Sequence, residues 1–226
     1  MNSTITSLDV AQAVIWLAMF FLVSAPVHEC AHAFTAWRLG DGTAKLFGRV
    51  SLDPIRHFDP FGGGLMVAST LWGLLSNRWI GGFGFAKPTP VNPYNLRGRY
   101  ADSMVAAAGP FSNLALAAVF AIGFRILWAN GAYPDNKSAI DMLQLVFFTG
   151  VQLNVLLMLF NLIPITPLDG SHVLLNLVDP RTANDLRNFM NRYGLFLLIL
   201  VIFFGGMLIF PLMDPIVSFL IGVPVG

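Results

Sequence analysis

Residues 10–37 have the sequence VAQAVIWLAMFFLVSAPVHECAHAFTAW. A helix needs about 20 apolar residues to cross the hydrocarbon core of a bilayer, so this run predicts a membrane-spanning helix. Its one charged side chain, Glu29, stands between His28 and His32 near the carboxyl end of the run. Ionisable side chains inside a spanning helix are costly and mark functional sites. The stretch therefore indicates a membrane protein and the place of its functional site.

The composition of the whole chain agrees with a membrane environment. Of 226 residues, 56% are hydrophobic and 11% are charged, whereas soluble domains carry about 25% charged residues. So few charges cannot cover a surface that faces water, and most of the surface is expected to face the lipid bilayer. The net charge is +1 and there is no basic stripe, which excludes nucleic acid as a partner. The single cysteine, Cys30, excludes an internal disulfide.

Apolar runs recur along the chain at residues 10–37, 61–72, 103–128, 138–163 and 193–221. The first, third and fourth are long enough to span a bilayer. The second is short and flanked by glycines, which predicts a re-entrant or interfacial segment. The last contains Pro211 and Pro215, which predict either one kinked span or a span followed by a short return helix.

These runs predict one domain, residues 1–226, with the fold of an all-α polytopic membrane protein and about 4–6 transmembrane helices. Residues 45–52, KLFGRVSL, alternate partly between apolar and polar side chains, which predicts a small β-hairpin at the membrane. Residues 87–93, KPTPVNP, are expected to be extended, because proline disfavours helix in the residue before it. The expected parts are a first helix at 10–39, a strand and re-entrant region at 41–100, core helices at 103–128 and 138–163, a loop at 164–192 and a C-terminal helical segment at 193–222.

Lysine and arginine positions predict the orientation, because basic residues accumulate in cytoplasmic loops. Residues 38–102 and 164–192 are rich in basic side chains, whereas the loop at 129–137 holds only Lys137 and the first nine residues hold none. If residues 61–72 do not cross, every basic loop lies on one side. We therefore expect the N-terminus outside and residues 38–102 and 164–192 in the cytoplasm.

Residues 28–32, HECAH, form an H-E-x-x-H motif. On a helix, residues four apart share a face, so the imidazoles of His28 and His32 can hold one ion. Glu29 is offset by about 100° and can approach a metal-bound water without being a ligand. A zinc hydrolase needs this combination of two nitrogen ligands, a metal-bound water and a carboxylate that takes the proton of the water. With four histidines and one glutamate, chance gives the motif about two times in ten thousand, which favours a metal site over a pair of buried, hydrogen-bonded histidines.

A catalytic zinc takes three protein ligands and a water, so a third ligand is needed. Asp169 follows Pro164 and Pro167, which remove backbone donors and predict unwound backbone lining a cavity. From spacing alone, metal ligation and a helix-capping role for Asp169 are equally open. His172 is the rival ligand, and His57 is expected instead to hold its proline-rich loop together.

Residues 109–113, GPFSN, open the third run among many alanines. The small residues indicate close packing of helices. Asn113 is different, because an amide inside an apolar run needs hydrogen-bond partners. It is expected to orient the active-site helices or to bind the substrate backbone.

Together these motifs resemble the site-2 protease family of intramembrane zinc metalloproteases, peptidase family M50. Residues 28–32 match the zinc helix of that family, residues 109–113 match its G-P-x-x-N element, and residues 161–170 match its N-x-x-P…D-G motif. The compact bacterial and archaeal branch, without PDZ or CBS domains, is similar at residues 52–54, 57–60 and 84–88. The resemblance covers about residues 20–180.

The resemblance implies that Asp169 joins His28 and His32 as the third ligand of one zinc ion per chain, with Glu29 as general base. It implies that Asn161 holds the substrate carbonyl, with Asn113 as a second substrate-binding candidate. Members of the family cleave transmembrane helices of other proteins. The implied partner is therefore the transmembrane segment of a substrate, in a prokaryotic cell membrane, with the active site toward the cytoplasmic side.

Two other functions use the same residues: a metal-binding membrane transporter and an inactive scaffold that binds membrane helices. Glu29 favours hydrolysis, because transport gains nothing from a base beside the open position of the metal. A stable helix shields its peptide bonds, so a substrate must unwind locally. We expect the unwound strand to pair with residues 45–52 or 85–91 by strand addition.

Overall fold

Helices make up most of the chain in the computed structural model, which describes residues 5–76, 82–129 and 139–225. No strand occurs within these ranges, which confirms the predicted all-α class. In chain order the elements are α1 (Ser7–Met19), a π-helical segment (Phe20–Ser24), α2 (Ala25–Arg38), α3 (Thr43–Leu46), α4 (Pro54–His57), α5 (Pro60–Leu75), a 3-10 turn (Pro93–Asn95), α6 (Ala101–Ala129), α7 (Ala139–Asn161), α8 (Asp169–Leu177), α9 (Pro180–Phe204) and α10 (Gly206–Ile221).

Four helical stretches in the described residues are long and apolar enough to cross a membrane, namely Ser7–Arg38, Ala101–Ala129, Asp141–Asn161 and Pro180–Phe204. The first joins α1, the π-helical segment and α2 into 32 continuous residues. The helices α5 and α10 have 16 residues each, so each rises only about 24 Å. The chain is thus a multi-pass membrane protein, and re-entry of α5 into the membrane stays a prediction.

The core lies around α6, which packs against both α2 and α7. The small side chains of Ala117 and Ala121 are buried there and allow the close approach that helix packing in lipid requires. On the same face α10 adds Met213 and Val217. A second cluster joins α1, the π-helical segment, α5 and α7. In contrast, only 11% of the apolar part of α9 is buried, so α9 presents most of its surface to lipid.

The β-hairpin predicted at residues 45–52 is wrong, because α3 ends at Leu46 and the residues from there to the start of α4 at Pro54 form turns without a strand. After α3, Gly48 has a φ of 69°, the left-handed conformation in which glycine commonly ends a helix. The side chain of Asp53 then accepts a hydrogen bond from the Ile55 N–H at 3.1 Å and caps α4. Local capping therefore outweighs an alternation of only a few residues.

The loop predicted at residues 164–192 is also largely wrong, because helix covers most of it. Its first part is unwound as expected, since α7 ends at Asn161 and α8 begins at Asp169. However, α9 already begins at Pro180, where Asp179 accepts hydrogen bonds from the next N–H groups. Aspartate followed by proline is a strong helix start, even though the polar residues that follow resemble a loop.

The C-terminal apolar run forms two helices rather than one kinked helix. The break falls at Gly205, between α9 and α10, whereas Pro211 and Pro215 both lie inside α10. This agrees with the second of the two predicted alternatives but moves the break. Most of the predicted outer loop, from residue 130 to 138, lies outside the described residues.

Candidate metal centre

The two histidines of the motif lie side by side on α2. They are four residues apart and share one face of the helix, and their Nε2 atoms are 3.0 Å apart. Both side chains are buried, because α6 packs against α2. The single helix α2 therefore brings together the imidazoles that the sequence predicted as metal ligands.

The neighbouring helices fix the orientation of both rings. His28 Nδ1 donates to Asn113 Oδ1 at 2.6 Å, and His32 Nδ1 donates to the carbonyl of Val105 at 2.7 Å. Asn113 Nδ2 donates in turn to Asn154 Oδ1 at 2.8 Å, which sets the direction of the Asn113 amide. Because Asn113 Oδ1 and the carbonyl only accept, the imidazole protons lie on Nδ1 and the Nε2 lone pairs are free for a metal.

Asp169 reaches the histidines from the start of α8. Its Oδ2 atom lies 3.3 Å from the Nε2 atoms of both His28 and His32. A Cβ atom at Gly170 would collide with the backbone of Leu162, so a glycine here lets the chain turn close to the end of α7. Asp169 is therefore placed to act as the third ligand of a metal held by the two imidazoles.

His28, His32 and Asp169 fit a zinc ion. Their three ligand atoms form a triangle with edges of 3.0, 3.3 and 3.3 Å, and the ligands of tetrahedral zinc, bonded at about 2.0–2.1 Å, stand about 3.3 Å apart. With the imidazole protons on Nδ1, only lone pairs converge here. The buried Asp169 Oδ2 also receives no hydrogen bond from any described residue. A cation relieves this repulsion, and a fourth position remains for water.

Glu29 stands beside this triangle in a cavity of about 720 Å³. Its Oε2 atom accepts two hydrogen bonds from Thr89, from the N–H at 2.8 Å and from Oγ1 at 2.7 Å. The Glu29 Oε1 atom accepts no hydrogen bond from any described residue, so one carboxylate oxygen is held and the other is available. The cavity is also lined by His28, His32 and Asp169, which places a free carboxylate oxygen and the candidate ligands in one space.

One wall of the cavity is the helix-free segment 82–92. Four backbone N–H groups of the segment donate hydrogen bonds to neighbouring elements. They are Phe83 to Ser69 Oγ (2.8 Å), Lys87 to the His57 carbonyl (2.8 Å), Thr89 to Glu29 Oε2 (2.8 Å) and Asn92 to Asp41 Oδ2 (2.7 Å). The first three of these donors are odd-numbered residues, as in an extended chain, where alternate N–H groups point to opposite edges.

On the opposite edge of this segment, two backbone N–H groups have no acceptor within the described residues. No described residue accepts a hydrogen bond from the N–H of Gly84 or Ala86. Pro88 and Pro90 have no N–H to donate. The predicted extended stretch is thus present, and its Gly84 and Ala86 N–H groups have no acceptor among the described residues.

The two asparagines predicted to bind substrate occupy different places. Asn161 lines the cavity at the end of α7, and its Nδ2 donates to the Leu157 carbonyl at 2.9 Å. Asn113 is fully buried, and its amide is bonded to His28 and Asn154. This position favours the orienting role for Asn113 over the predicted contact with substrate, because both ends of its amide already have partners.

The rival ligands lie apart from the triangle. His172 Nδ1 is 3.1 Å from Asp102 Oδ2, and hydrogen bonding to this carboxylate raises the pKa of His172. His57 is buried, and its Nε2 donates to the carbonyl of Ser51 at 2.7 Å. His57 therefore holds its own loop together, as predicted.

Sequence reasoning missed three parts of the site: Thr89, Asn154 and the Val105 carbonyl. A backbone carbonyl gives no signal in the sequence. Asn154 is an amide within an apolar run, which was the signal that singled out Asn113. Thr89 stands between Pro88 and Pro90, and this pattern had been used only to predict an extended backbone.

A polytopic helical fold with a His, His and Asp triangle and a carboxylate in the same cavity defines a membrane-embedded metallohydrolase. Comparison with known proteins agrees with this class. Residues 126–201 match the model of peptidase family M50. No solved structure matches the chain.

Three bacterial relatives have similar sequences. The “Putative zinc metalloprotease YwhC” of Bacillus subtilis (strain 168) is 38% identical over 205 residues, covering 88% of this chain and 86% of the relative. The “Putative zinc metalloprotease Rip2” of Mycobacterium tuberculosis (strain H37Rv) is 31% identical over 88% of this chain and 71% of the relative. The protein of the same name from Mycolicibacterium smegmatis is 30% identical over 81% of this chain and 65% of the relative. The chain belongs to peptidase family M50 and is a zinc metalloprotease.

Proposed function

We propose that this chain is an intramembrane zinc metalloprotease that hydrolyses peptide bonds within or near the transmembrane helices of substrate proteins. The observation that carries the proposal is the depth of the site. His28 lies ten residues before Arg38, where the spanning helix ends, which is about 15 Å along the helix axis. Glu29 and the three candidate ligands thus share a cavity inside the helical bundle, at a depth that a membrane-spanning substrate reaches.

The residues of the site have separate roles in this proposal. One zinc ion per chain, held by His28, His32 and Asp169, supplies a Lewis acid that polarises the scissile carbonyl and acidifies a water. Oε1 of Glu29 takes the proton from that water and delivers it to the leaving amide nitrogen. Asn113 holds the ring of His28 in place, and the Asn161 amide at the cavity wall donates to the carbonyl oxygen as charge develops there.

Substrate binding is assigned to the open edge of segment 82–92. A substrate helix must unwind before its peptide bonds can be attacked, and each backbone group left unpaired in lipid costs several kcal/mol. The free N–H groups of Gly84 and Ala86 can pair with the unwound strand by strand addition. The other segment considered for this role, residues 45–52, forms no strand and is therefore not proposed.

The orientation follows from the basic loops. We place residues 38–102 and 164–192 in the cytoplasm and the active site toward that side. The relatives are bacterial proteins, so the membrane is proposed to be the prokaryotic cell membrane.

The test compares wild type with Glu29→Gln in the same lipid, using as substrate a synthetic single-span helix with Asn and Pro near its middle. Glutamine keeps the shape of the side chain and cannot take a proton. We expect Glu29→Gln to bind one zinc per chain and to cleave at least 1,000-fold more slowly, on the order of the loss when a general base is removed. Asp169→Ala should lower the zinc content, whereas His172→Ala should retain it.

Near-normal cleavage by Glu29→Gln would remove the proposed base. Full zinc in Asp169→Ala together with loss of zinc in His172→Ala would replace the third ligand. Transport of zinc by wild type without any cleavage would favour the alternative of a metal transporter.

A further inference from the structure

Thr89 is the residue outside α2 that hydrogen-bonds to Glu29 within the described part of the chain. Besides the two hydrogen bonds to Glu29 Oε2, from the N–H at 2.8 Å and from Oγ1 at 2.7 Å, Oγ1 lies 3.0 Å from the Glu29 carbonyl oxygen. All side-chain contacts use the same carboxylate oxygen. Thr89 therefore fixes the rotation of the carboxylate and leaves Oε1 without a partner among the described residues.

The two prolines that flank Thr89 favour this contact. Pro88 and Pro90 lack an N–H, so the amide of Thr89 is the one backbone donor in this tripeptide. A proline also disfavours helix in the residue before it, so Pro90 keeps Thr89 extended. The donor and the hydroxyl are thus presented together with little conformational freedom to lose on binding the carboxylate.

The segment that carries Thr89 is held independently on both sides of it. Lys87 N donates to the His57 carbonyl before it, and Asp41 accepts from the Asn92 N–H and from Asn95 Nδ2 after it. These anchors are the carbonyl of His57 at the end of α4 and the side chain of Asp41 between α2 and α3. They fix the position of Thr89 relative to α2, and they form no hydrogen bond with Glu29.

We propose that Thr89 is a positioning residue for the catalytic base: it holds Glu29 by Oε2 so that Oε1 is directed at the reacting water. The inference rests on the proposed function, in which Glu29 moves the proton. Thr89 lies only three residues beyond Ala86, on the segment assigned to substrate pairing. The segment proposed to pair with the substrate therefore also carries Thr89, the residue proposed to hold the base.

The kinetic test compares Thr89→Val with Thr89→Ser. Valine has nearly the same shape as threonine but lacks the hydroxyl, whereas serine keeps the hydroxyl. Since a hydrogen bond to a charged group is worth about 10- to 100-fold in an equilibrium, we expect Thr89→Val to lower kcat by about 10- to 100-fold with KM within about threefold of wild type. Thr89→Ser should restore most of kcat. All variants should keep full zinc content.

The matched control is Asn95→Ala. It removes one contact with Asp41, 3.0 Å in length, and so loosens the same segment without touching Glu29. We expect its kcat to stay within about threefold of wild type. An equal loss of kcat in Asn95→Ala and Thr89→Val would overturn the proposal, because it would show that only the stiffness of the segment matters. Wild-type kcat in Thr89→Val would overturn it as well.

A second readout does not depend on activity. Amide hydrogen exchange at Thr89 is followed by NMR on the full chain in detergent, labelled with ¹⁵N-threonine, with and without zinc. Removal of the acceptor in Glu29→Ala should speed exchange at Thr89 by about 10- to 100-fold, whereas Thr89→Ser should leave the amide protected. Unchanged exchange in Glu29→Ala would overturn the contact itself. Should wild type cleave no membrane helix, the proposed function fails, and the exchange measurement still decides whether Thr89 holds Glu29.

Discussion

At the scale of single residues, the geometry of the site depends on the absence of a side chain at Gly109. The sequence indicated close helix packing at residues 109–113, and the close neighbours are the imidazoles of the candidate ligands His28 and His32. A Cβ atom at position 109 would lie 2.6 Å from His28 Cε1 and nearer still to His32 Nε2. Only a glycine therefore allows α6 to approach α2 closely enough for Val105 and Asn113 to orient the rings.

Gly109→Ala is predicted to displace the imidazoles and to lower zinc affinity by about 10- to 100-fold, the usual effect of disturbing the groups behind metal ligands. The measurement is zinc content after dialysis against a graded series of chelator concentrations. Gly64→Ala is the matched control, because it makes the same change in α5 where a Cβ atom would meet nothing within 4 Å. If both variants retain zinc equally, the contact with Gly109 is not what shapes the site.

At the scale of elements, segment 82–92 is placed by glycines as well as by hydrogen bonds. A Cβ atom at Gly62 would clash with Phe85, and one at Gly84 would lie 2.6 Å from the Gly62 carbonyl oxygen. The backbone of the segment therefore lies directly on α5. The N–H groups of Gly84 and Ala86 meanwhile have no acceptor among the described residues.

Ala86→Pro is predicted to slow cleavage of the model helix about 10-fold or more while zinc content stays at one per chain, because the variant loses an N–H that would pair with the substrate. The assay is the cleavage rate in lipid, with Ala86→Val as the control that adds similar bulk and keeps the N–H. Equal rates for the two variants would show that bulk at this position, and not strand pairing, limits the reaction. A substrate series graded in helix propensity around the cut adds a second measure, since easier unwinding should speed cleavage.

At the scale of the whole molecule, three long helices build the site and the fourth stays at the edge. The spans Ser7–Arg38, Ala101–Ala129 and Asp141–Asn161 supply the histidines and the groups that orient them, whereas α9 is mostly exposed to lipid. Asp169 arrives on α8, between the third and fourth spans. The helix α5 is too short to cross easily, and this leaves residues 38–102 on one side of the membrane in the proposed topology.

Cysteine labelling tests this topology in a Cys30→Ala background. Leu46→Cys, Tyr94→Cys and Leu177→Cys, all at well-exposed positions, are predicted to react with a membrane-impermeant reagent from the cytoplasmic side. Ile5→Cys, which is 42% exposed near the first span, is predicted to react from the outside. Opposite accessibility of positions 46 and 94 would show that α5 crosses the membrane after all.

The sequence alone predicted the membrane class, the helix that carries the motif, the unwound end of α7 and the extended stretch of prolines. These features depend on local properties: apolar run length, helical periodicity and the missing N–H of proline. The predictions of a hairpin at 45–52 and a loop at 164–192 also used local sequence patterns, and both were wrong. Gly48, Asp53 and Asp179 favour helix ends and starts that a short polarity pattern does not reveal.

Tertiary structure alone decided which residues meet. From spacing, Asp169 and His172 were both open as third ligand, and only the turn after α7 brings one of them to 3.3 Å from the imidazoles. The contact between Thr89 and Glu29 joins residues 60 positions apart, and no local rule reaches that far. The physical reason is that the arrangement of the candidate ligands and of Glu29 depends on distances between helices. The packing of α2 against α6 and of segment 82–92 against α5 sets those distances.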